Sequence, residues 1–161
     1  MLADTNQPIE SSTIQIRPVR TEEEWDDARF VRTQVFITEQ ECPPELEWDE
    51  HEAMSRHIVG YEDGRPIAAA RWRTVSFEGR LAAKLERFAV LPEHRRKGYG
   101  RRLVTFVMDD ARKAGFSTFV LHAQRYLEDF YVSFGFKRVG DIFFEAGIPH
   151  IKMVLRATAE R

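Results

Sequence analysis

The chain has 161 residues, 43% of them hydrophobic and 31% charged, which is typical of one globular domain with its own hydrophobic core. Its net charge of −2 excludes a global field that would draw the protein to nucleic acid or to an anionic membrane. The single cysteine, Cys42, cannot form an internal disulfide, and no apolar run approaches the length that spans a bilayer. We therefore expect a cytoplasmic protein with neither nucleic-acid nor membrane partners.

Composition divides the chain into three segments. Residues 1–12 are polar and acidic and lack the apolar core of a signal peptide, so we predict a flexible N-terminal tail. Residues 157–161 are interpreted as a C-terminal tail. Residues 13–156 contain no repeat, low-complexity stretch or linker, and we expect them to form a single domain.

Alternating hydrophobicity and a helix-capping motif predict the first two secondary-structure elements. The alternation of apolar and polar residues at 13–20 predicts a strand. Thr21 followed by Glu24 is a capping box, which predicts a helix that runs to about Phe36. Residues 37–53 hold two prolines and many acids and are predicted to form a long loop or a broken helix. The acids of this loop either remain solvated or attract a cationic amine.

The rest of the chain predicts a meander followed by alternating helices and strands. Asp63-Gly64 and the turn at 77–80 separate three apolar runs, which is typical of antiparallel hairpins. The predicted strands span 55–61, 66–75, 81–91, 117–122, 136–141 and 150–156, and the predicted helices span about 100–114 and 124–134. The fold class is therefore a mixed α/β sheet with helices on both faces.

The run Arg95-Arg96-Lys97-Gly98-Tyr99-Gly100 lies directly between a predicted strand and a predicted helix. Its two glycines allow a sharp turn and a close approach of the backbone to a ligand. The helix that follows points unpaired N–H groups and a partial positive charge into the turn. The run therefore predicts a site for an anion, most plausibly a phosphate or pyrophosphate.

Three phosphate-binding motifs are compared with this run. A nucleoside-triphosphate loop requires Gly-Lys-Ser/Thr after a longer spacer, which is absent. A dinucleotide fold requires a third glycine, but Leu103 occupies that position. The spacing fits the pyrophosphate turn of an acyl-CoA protein best.

With its flanking segments, the run resembles the GNAT superfamily of acetyl-CoA-dependent N-acetyltransferases. The motifs are Arg95-x-x-Gly98-x-Gly100, the preceding Phe88-Ala89-Val90-Leu91-Pro92 and the following Phe130-Tyr131-x-x-x-Gly135-Phe136. Two outer motifs, Arg32-x-x-Val35-Phe36-x-x-Glu39-Gln40 and Gly147-Ile148-Pro149-His150-Ile151-x-Met153, are similar to the ElaA-type branch. The resemblance implies a largely antiparallel sheet with a parallel strand pair at the cofactor cleft and helices on both faces.

The resemblance implies acetyl-CoA as co-substrate. The backbone of Phe88, Ala89 and Val90 would bind the pantetheine arm like an added strand, with the Val90 N–H facing the thioester oxygen. The diphosphate would lie in the turn, and the implied cofactor contacts come from Arg95, Arg96, Lys97, Gly98, Tyr99, Gly100 and Arg101.

Three residues are candidates for catalysis. Tyr131 matches the family tyrosine that protonates the departing sulfur; the alternative is a core aromatic. Glu86 alternates with Phe88 and Val90, so we expect a shared face and a general base whose pKa burial would have to raise. Its alternative is an ion pair with Arg71 or Arg87. His150 is a natural proton acceptor, or else a hydrogen-bonded structural histidine.

The acceptor side is expected to involve Arg32, Glu39, Trp72 and Glu145, although core burial is an equal alternative for Trp72. The acceptor itself is a small-molecule or peptide amine, and exposed edge strands leave a homodimer open. His51, His57 and the neighbouring acids lack a metal-ligand spacing, so no metal is predicted.

The predicted function is transfer of an acetyl group from acetyl-CoA to a primary amine by direct attack in a ternary complex. One alternative is a catalytically inactive acyl-CoA-binding sensor or regulatory module. A second is an acyltransferase similar to acyl-homoserine-lactone synthases, because the motif at 32–40 partly resembles their N-terminal signature.

Overall fold

A computed structural model describes residues 13–156; the predicted tails, 1–12 and 157–161, lie outside the described residues. Within these residues, seven strands form one sheet in the order β1-β2-β3-β4-β5-β7-β6. Neighbouring strands are antiparallel except β4 and β5, which are parallel, as predicted. The strands are β1 (Gln15–Pro18), β2 (Arg56–Glu62), β3 (Arg65–Phe77), β4 (Arg80–Val90), β5 (Thr118–Gln124), β6 (Lys137–Glu145) and β7 (Ile148–Arg156).

In the described part of the chain, four α-helices accompany the sheet, namely α1 (Glu22–Arg32), α2 (Pro44–Glu47), α3 (Tyr99–Lys113) and α4 (Glu128–Val132). The capping box that begins α1 is present: the Thr21 hydroxyl accepts from the Glu24 N–H, and the Glu24 carboxylate accepts from the Thr21 N–H. The helix α1 continues from Thr33 to Glu39 as a π-helix rather than ending at Phe36. The predicted helix at 124–134 shortens to α4, because Gln124 stays in β5 and Arg125–Leu127 form a 3₁₀ turn.

Hydrophobic side chains pack on both sides of the sheet. On one side, which we call the α3 face, the core includes Leu103 and Val107 of α3, Leu85 of β4 and Tyr131 of α4. On the other side, the α1 face, α1 packs over β2, β3 and β4, with Val31 at 0% exposure. The sheet therefore separates the molecule into two layers, and a ligand that lies between two of its strands can contact both the α1 face and the α3 face.

Candidate active site

The glycine-containing turn has the geometry expected of an anion site. Gly98 is the N-cap of α3, and its backbone φ of +79° is a conformation that residues with a Cβ rarely adopt. No side chain caps the helix, and no acidic residue lies in its first turn. The first backbone bond closed at this end runs from the Arg102 N–H to the Gly98 carbonyl, which leaves the N–H groups of Gly100 and Arg101 pointing out of the helix.

Both glycines of the turn leave room for a ligand. A Cβ built at Gly98 meets no atom within 4 Å, and one at Gly100 meets only the Phe130 ring, at an ordinary 3.9 Å. Neither glycine is therefore required by packing within the described residues. The positive φ explains Gly98, whereas Gly100 has ordinary helical backbone and no contact of its own that requires a glycine within the described residues.

The basic side chains of the turn are partly engaged by protein groups. Arg95 donates two hydrogen bonds to the Glu39 carboxylate, at 2.7 and 2.6 Å, and its Nε donates to the Val90 carbonyl at 2.9 Å. Lys97 lies 3.4 Å from Glu62, and Arg101 donates to the Ser133 hydroxyl while lying over the Phe134 ring. Glu39, which was expected on the acceptor side, thus lies beside the turn.

A gap opens in the sheet next to this turn. The parallel pairing of β4 with β5 ends at Leu85 and Leu121, although β4 continues to Val90 and β5 to Gln124. The Leu91 N–H bonds to the Ile67 carbonyl of β3. Because successive peptide groups of a strand point to opposite edges, the N–H groups of Phe88 and Val90 point into the gap. An extended chain can therefore add to β4 there.

A β-bulge changes which side chains of β4 share a face. Ala69 pairs with Ala89 but Arg71 pairs with Glu86, so one residue of β3 opposes two of β4, and Arg87 takes φ of +60°. Phe88 and Val90 consequently pack on the α3 face, whereas Glu86 lies on the α1 face with Arg71. The expectation that all three share a face is wrong, because strict alternation does not survive a bulge.

Glu86 lies among three cations. Its carboxylate is 2.8 Å from Arg71, 3.1 Å from Arg73 and 3.1 Å from Lys84. Burial alone would raise the pKa of Glu86, but these positive charges outweigh it and lower the pKa to about 2. The raised pKa that a general base would need is therefore not present, and the alternative of an ion pair with Arg71 is what the structure shows.

Tyr131 lies on α4, with its ring centroid 6.3 Å from that of Phe88. The residue is 5% exposed, and burial raises the pKa of its hydroxyl. Within residues 13–156 this hydroxyl has no hydrogen-bond partner. A buried, protonated hydroxyl without a partner is available to donate to a ligand beside Phe88.

A polar cluster on the α1 face comprises His122, Glu145 and His150. His150 Nδ1 lies 2.7 Å from the Ile148 carbonyl, and since a carbonyl only accepts, Nδ1 carries the proton. Nε2 of a neutral His150 is then a proton acceptor, and it lies 3.9 Å from Glu145. Glu145 also accepts from His122 Nδ1 at 2.6 Å; burial opposes ionisation, but this bond lowers the pKa of Glu145.

Two residues expected on the acceptor side are buried elsewhere. Arg32 is 0% exposed, and its guanidinium is bound by the carboxylates of Glu47 and Glu52 and by the Glu47 carbonyl. Trp72 packs on the α3 face, where its indole N–H donates to Asp110 at 2.8 Å. Both side chains are buried, with every nitrogen of the Arg32 guanidinium donating inside the protein and the indole N–H of Trp72 donating to Asp110, so neither is presented to an acceptor.

Sequence reasoning missed several polar groups near the gap. Gln124 of β5 donates to Gln40 at 3.1 Å, so the end of the π-helix contacts the end of β5. His122 of β5, which the sequence analysis did not single out, has a side chain that is 24% exposed and hydrogen-bonded to Glu145. The alternation of β5 places His122 and Gln124 on one face, a signal that was present in the sequence.

Comparison with known proteins identifies this architecture. The model of the Acetyltransferase (GNAT) domain matches residues 18–157. The chain belongs to the GNAT acetyltransferase family. Among relatives of this GNAT protein, the uncharacterized N-acetyltransferase YjcF of Bacillus subtilis (strain 168) is 40% identical over 136 residues, which cover 84% of this chain and 94% of YjcF.

Solved structures agree with this assignment. The crystal structure of Escherichia coli ElaA is 26% identical, with a TM-score of 0.76, and the match covers 88% of this chain and 99% of ElaA. A GNAT family acetyltransferase of Elizabethkingia anophelis with acetyl-CoA bound is 15% identical, with a TM-score of 0.62 and coverage of 89% and 97%. The predicted resemblance to GNAT enzymes of ElaA type is confirmed, and the chain is an acyltransferase.

Two further observations concern other classes of site. Among residues 13–156, no helix is both long and apolar enough to cross a lipid bilayer. In that same part of the chain, no group of three or more His, Cys, Asp or Glu side chains is arranged to hold a metal ion.

Proposed function

We propose that this GNAT enzyme transfers an acetyl group from acetyl-CoA to a primary amine by direct attack in a ternary complex. The observation that carries the proposal is the gap between β4 and β5, which adjoins the phosphate turn and has Phe88 and Val90 amides along one edge. The gap joins the α3 face, where Tyr131 lies, to the α1 face, where His150 lies.

The cofactor would bind on the turn and along β4. The free N–H groups of Gly100 and Arg101 and the positive end of α3 suit the diphosphate of coenzyme A. The pantetheine arm would extend along the β4 edge, where backbone groups bind it as a further strand would be bound. The Val90 N–H would then stabilise the thioester oxygen as it gains negative charge.

Proton transfers would be divided between the two faces. The amine nitrogen attacks the thioester carbon, the new C–N bond forms, and the C–S bond breaks. His150 Nε2 takes the proton that the amine loses, and Tyr131 gives its proton to the departing sulfur, where burial keeps that proton on the hydroxyl until the thiolate forms. Glu86 holds its three cations in place and takes no part in proton transfer.

Steady-state kinetics with both substrates varied tests this proposal. Direct attack in a ternary complex predicts reciprocal plots that intersect, with thiol release only when an amine is present. Parallel plots would contradict it, because they indicate an acyl-enzyme formed before the amine binds. Tight binding of acetyl-CoA without thiol release in the presence of any amine would favour the alternative of a regulatory module.

A further inference from the structure

Three acids of the loop before β2 face inward and bind arginine side chains, whereas Glu41, Glu45 and Glu50 of the same loop are exposed. Glu47 binds Arg32 and Arg87, and Asp49 and Glu52 both bind Arg71. The negative charges of Glu47, Asp49 and Glu52 are therefore neutralised inside the protein and are not available to a cationic amine.

The cluster contains one more cation than carboxylates. Its members are linked through short contacts, and they are the cations Arg32, Arg71, Arg73, Lys84 and Arg87 and the carboxylates Glu47, Asp49, Glu52 and Glu86. Arg71 already has Asp49 and Glu52 as partners. Within residues 13–156, Glu86 is the one carboxylate in ion-pair contact with Arg73 and Lys84, and they share it with Arg71. The unbalanced charge therefore lies at Arg73 and Lys84.

This unbalanced charge can be reached from solvent on the α1 face. The side chains of Arg73 and Lys84 are each 17% exposed, whereas that of Arg71 is 1% exposed. Two donor nitrogens of Arg73 bind Glu86, and the third, Nη1, has no partner within residues 13–156. A partly buried guanidinium with a free N–H beside an ammonium is a suitable partner for an oxyanion.

The α1 face also carries groups that can accept hydrogen bonds from an amine. Glu145 and Nε2 of His150, 3.9 Å apart, are close enough for one amine nitrogen to donate a hydrogen bond to both. Lys84 is near enough to Glu145 that its charge contributes to lowering the pKa of that carboxyl. The α1 face thus carries two proton acceptors, at Glu145 and His150, and two cations, at Arg73 and Lys84.

We propose that the acceptor is an amine that also carries an oxyanion, such as an amino acid, with its amine at Glu145 and His150 and its anionic group at Arg73 and Lys84. This inference rests on the proposed function. A polyamine would place a second positive charge against Arg73 and Lys84, whose contacting carboxylate, Glu86, is already shared by three cations. Such an acceptor is therefore disfavoured.

Matched pairs of amines test the proposal. β-Alanine is compared with β-alanine amide, and O-phosphoethanolamine with ethanolamine, so that each anionic compound has a partner without the anionic group. The two compounds of a pair are used at equal concentrations of the unprotonated amino group, and spermidine is the cationic reference. We expect kcat/KM for at least one anionic member to exceed that of its neutral partner by about tenfold or more. The pair that shows the preference distinguishes a carboxylate from a phosphate.

The variant Lys84→Met tests whether Lys84 causes the preference for an anionic acceptor. It retains the length of the side chain and removes its charge, so the ratio of kcat/KM for the anionic and neutral partners should fall toward one. Lys137→Met is the matched control, because Lys137 is an exposed lysine at the start of β6 and should leave the ratio unchanged. Thermal melting shows that each variant is folded.

Calorimetric binding of the same amines to protein saturated with coenzyme A separates this inference from the proposed function. A preference for the anionic partner in binding, without turnover, would retain the acceptor class and reject the enzyme. Turnover with equal kcat/KM for both partners, or a ratio that Lys84→Met leaves intact, would overturn the inference while the enzyme stands.

Discussion

Glu39 and Arg95 join the end of the π-helix to the phosphate turn. The Glu39 carboxylate accepts hydrogen bonds from both terminal nitrogens of Arg95, while Arg95 Nε donates to the Val90 carbonyl at the edge of the gap. The Glu39 carboxylate thus lies beside the site proposed for a diphosphate, and it forms an ion pair with Arg95, one of the cations of the turn.

Removing this carboxylate is expected to strengthen cofactor binding. Glu39→Gln eliminates a negative charge near the diphosphate and frees Arg95, so acetyl-CoA should bind up to about fivefold more tightly at low salt, less so at high salt. Isothermal titration measures the change, with the exposed and distant Glu23→Gln as control. Arg95→Gln should weaken binding, and an unchanged affinity in both variants would show that Arg95 does not contribute.

Gly100→Ala separates stability from binding. The added methyl group meets only an ordinary contact with Phe130, and alanine favours a helix over glycine, so the free protein should be stabilised by up to about 1 kcal/mol. Acetyl-CoA affinity should nevertheless fall, since the methyl group lies where the backbone is proposed to approach the diphosphate. A variant that melts higher and binds equally well would place the cofactor elsewhere.

Tyr131→Phe keeps the packing of α4 but removes the proposed proton donor. We expect kcat to fall by about 100-fold, within the range typical of general acids, with little change in acetyl-CoA affinity. Tyr61→Phe is a matched control, because Tyr61 of β2 donates to Asp27 of α1 and lies outside the gap. Equal loss in both variants, or none in Tyr131→Phe, would remove Tyr131 from the mechanism.

Glu86→Gln is expected to reduce stability rather than chemistry. The folded pKa of Glu86, about 2, lies below its ordinary 4.5, so its contribution to stability is complete above pH 4.5 and is lost as pH falls toward 2. The variant should lose about 3 kcal/mol at neutral pH, and the difference from the parent should shrink in acid. Denaturant unfolding across pH measures both.

The same variant distinguishes Glu86 from His150. Per folded molecule, Glu86→Gln should retain kcat within a few-fold, whereas His150→Gln should lose about 100-fold. The reverse ranking would restore Glu86 as the base and require its pKa to change when the substrates bind.

The sequence predicted the sheet and the turn because their signals are local. The capping box at Thr21, the hairpin at Asp63-Gly64 and the positive φ of Gly98 each depend on a few adjacent residues. The π-helix after Arg32 was not predicted, because its bonds, such as that from the Gln40 N–H to the Val35 carbonyl, span five residues rather than four.

The errors at the site come from partners that are distant in the chain. Arg32 was expected near the acceptor, but Glu47 and Glu52 fold back and bury it, which no spacing within α1 indicates. The bulge at Arg87 moved Glu86 to the other face, and a single extra residue in a strand has no marker when it is not glycine. Motifs therefore predicted the geometry of the glycine turn better than the surroundings of the residues expected on the acceptor side.

The most direct measurement of the central claim is simultaneous quantification of free coenzyme A thiol and N-acetylated amine after mixing the enzyme with acetyl-CoA and an amine panel. Acetyl transfer in a ternary complex predicts equal amounts of the two products and neither product when the amine is omitted. Thiol release in the absence of amine, or bound acetyl-CoA that stays intact with every amine, would contradict the account.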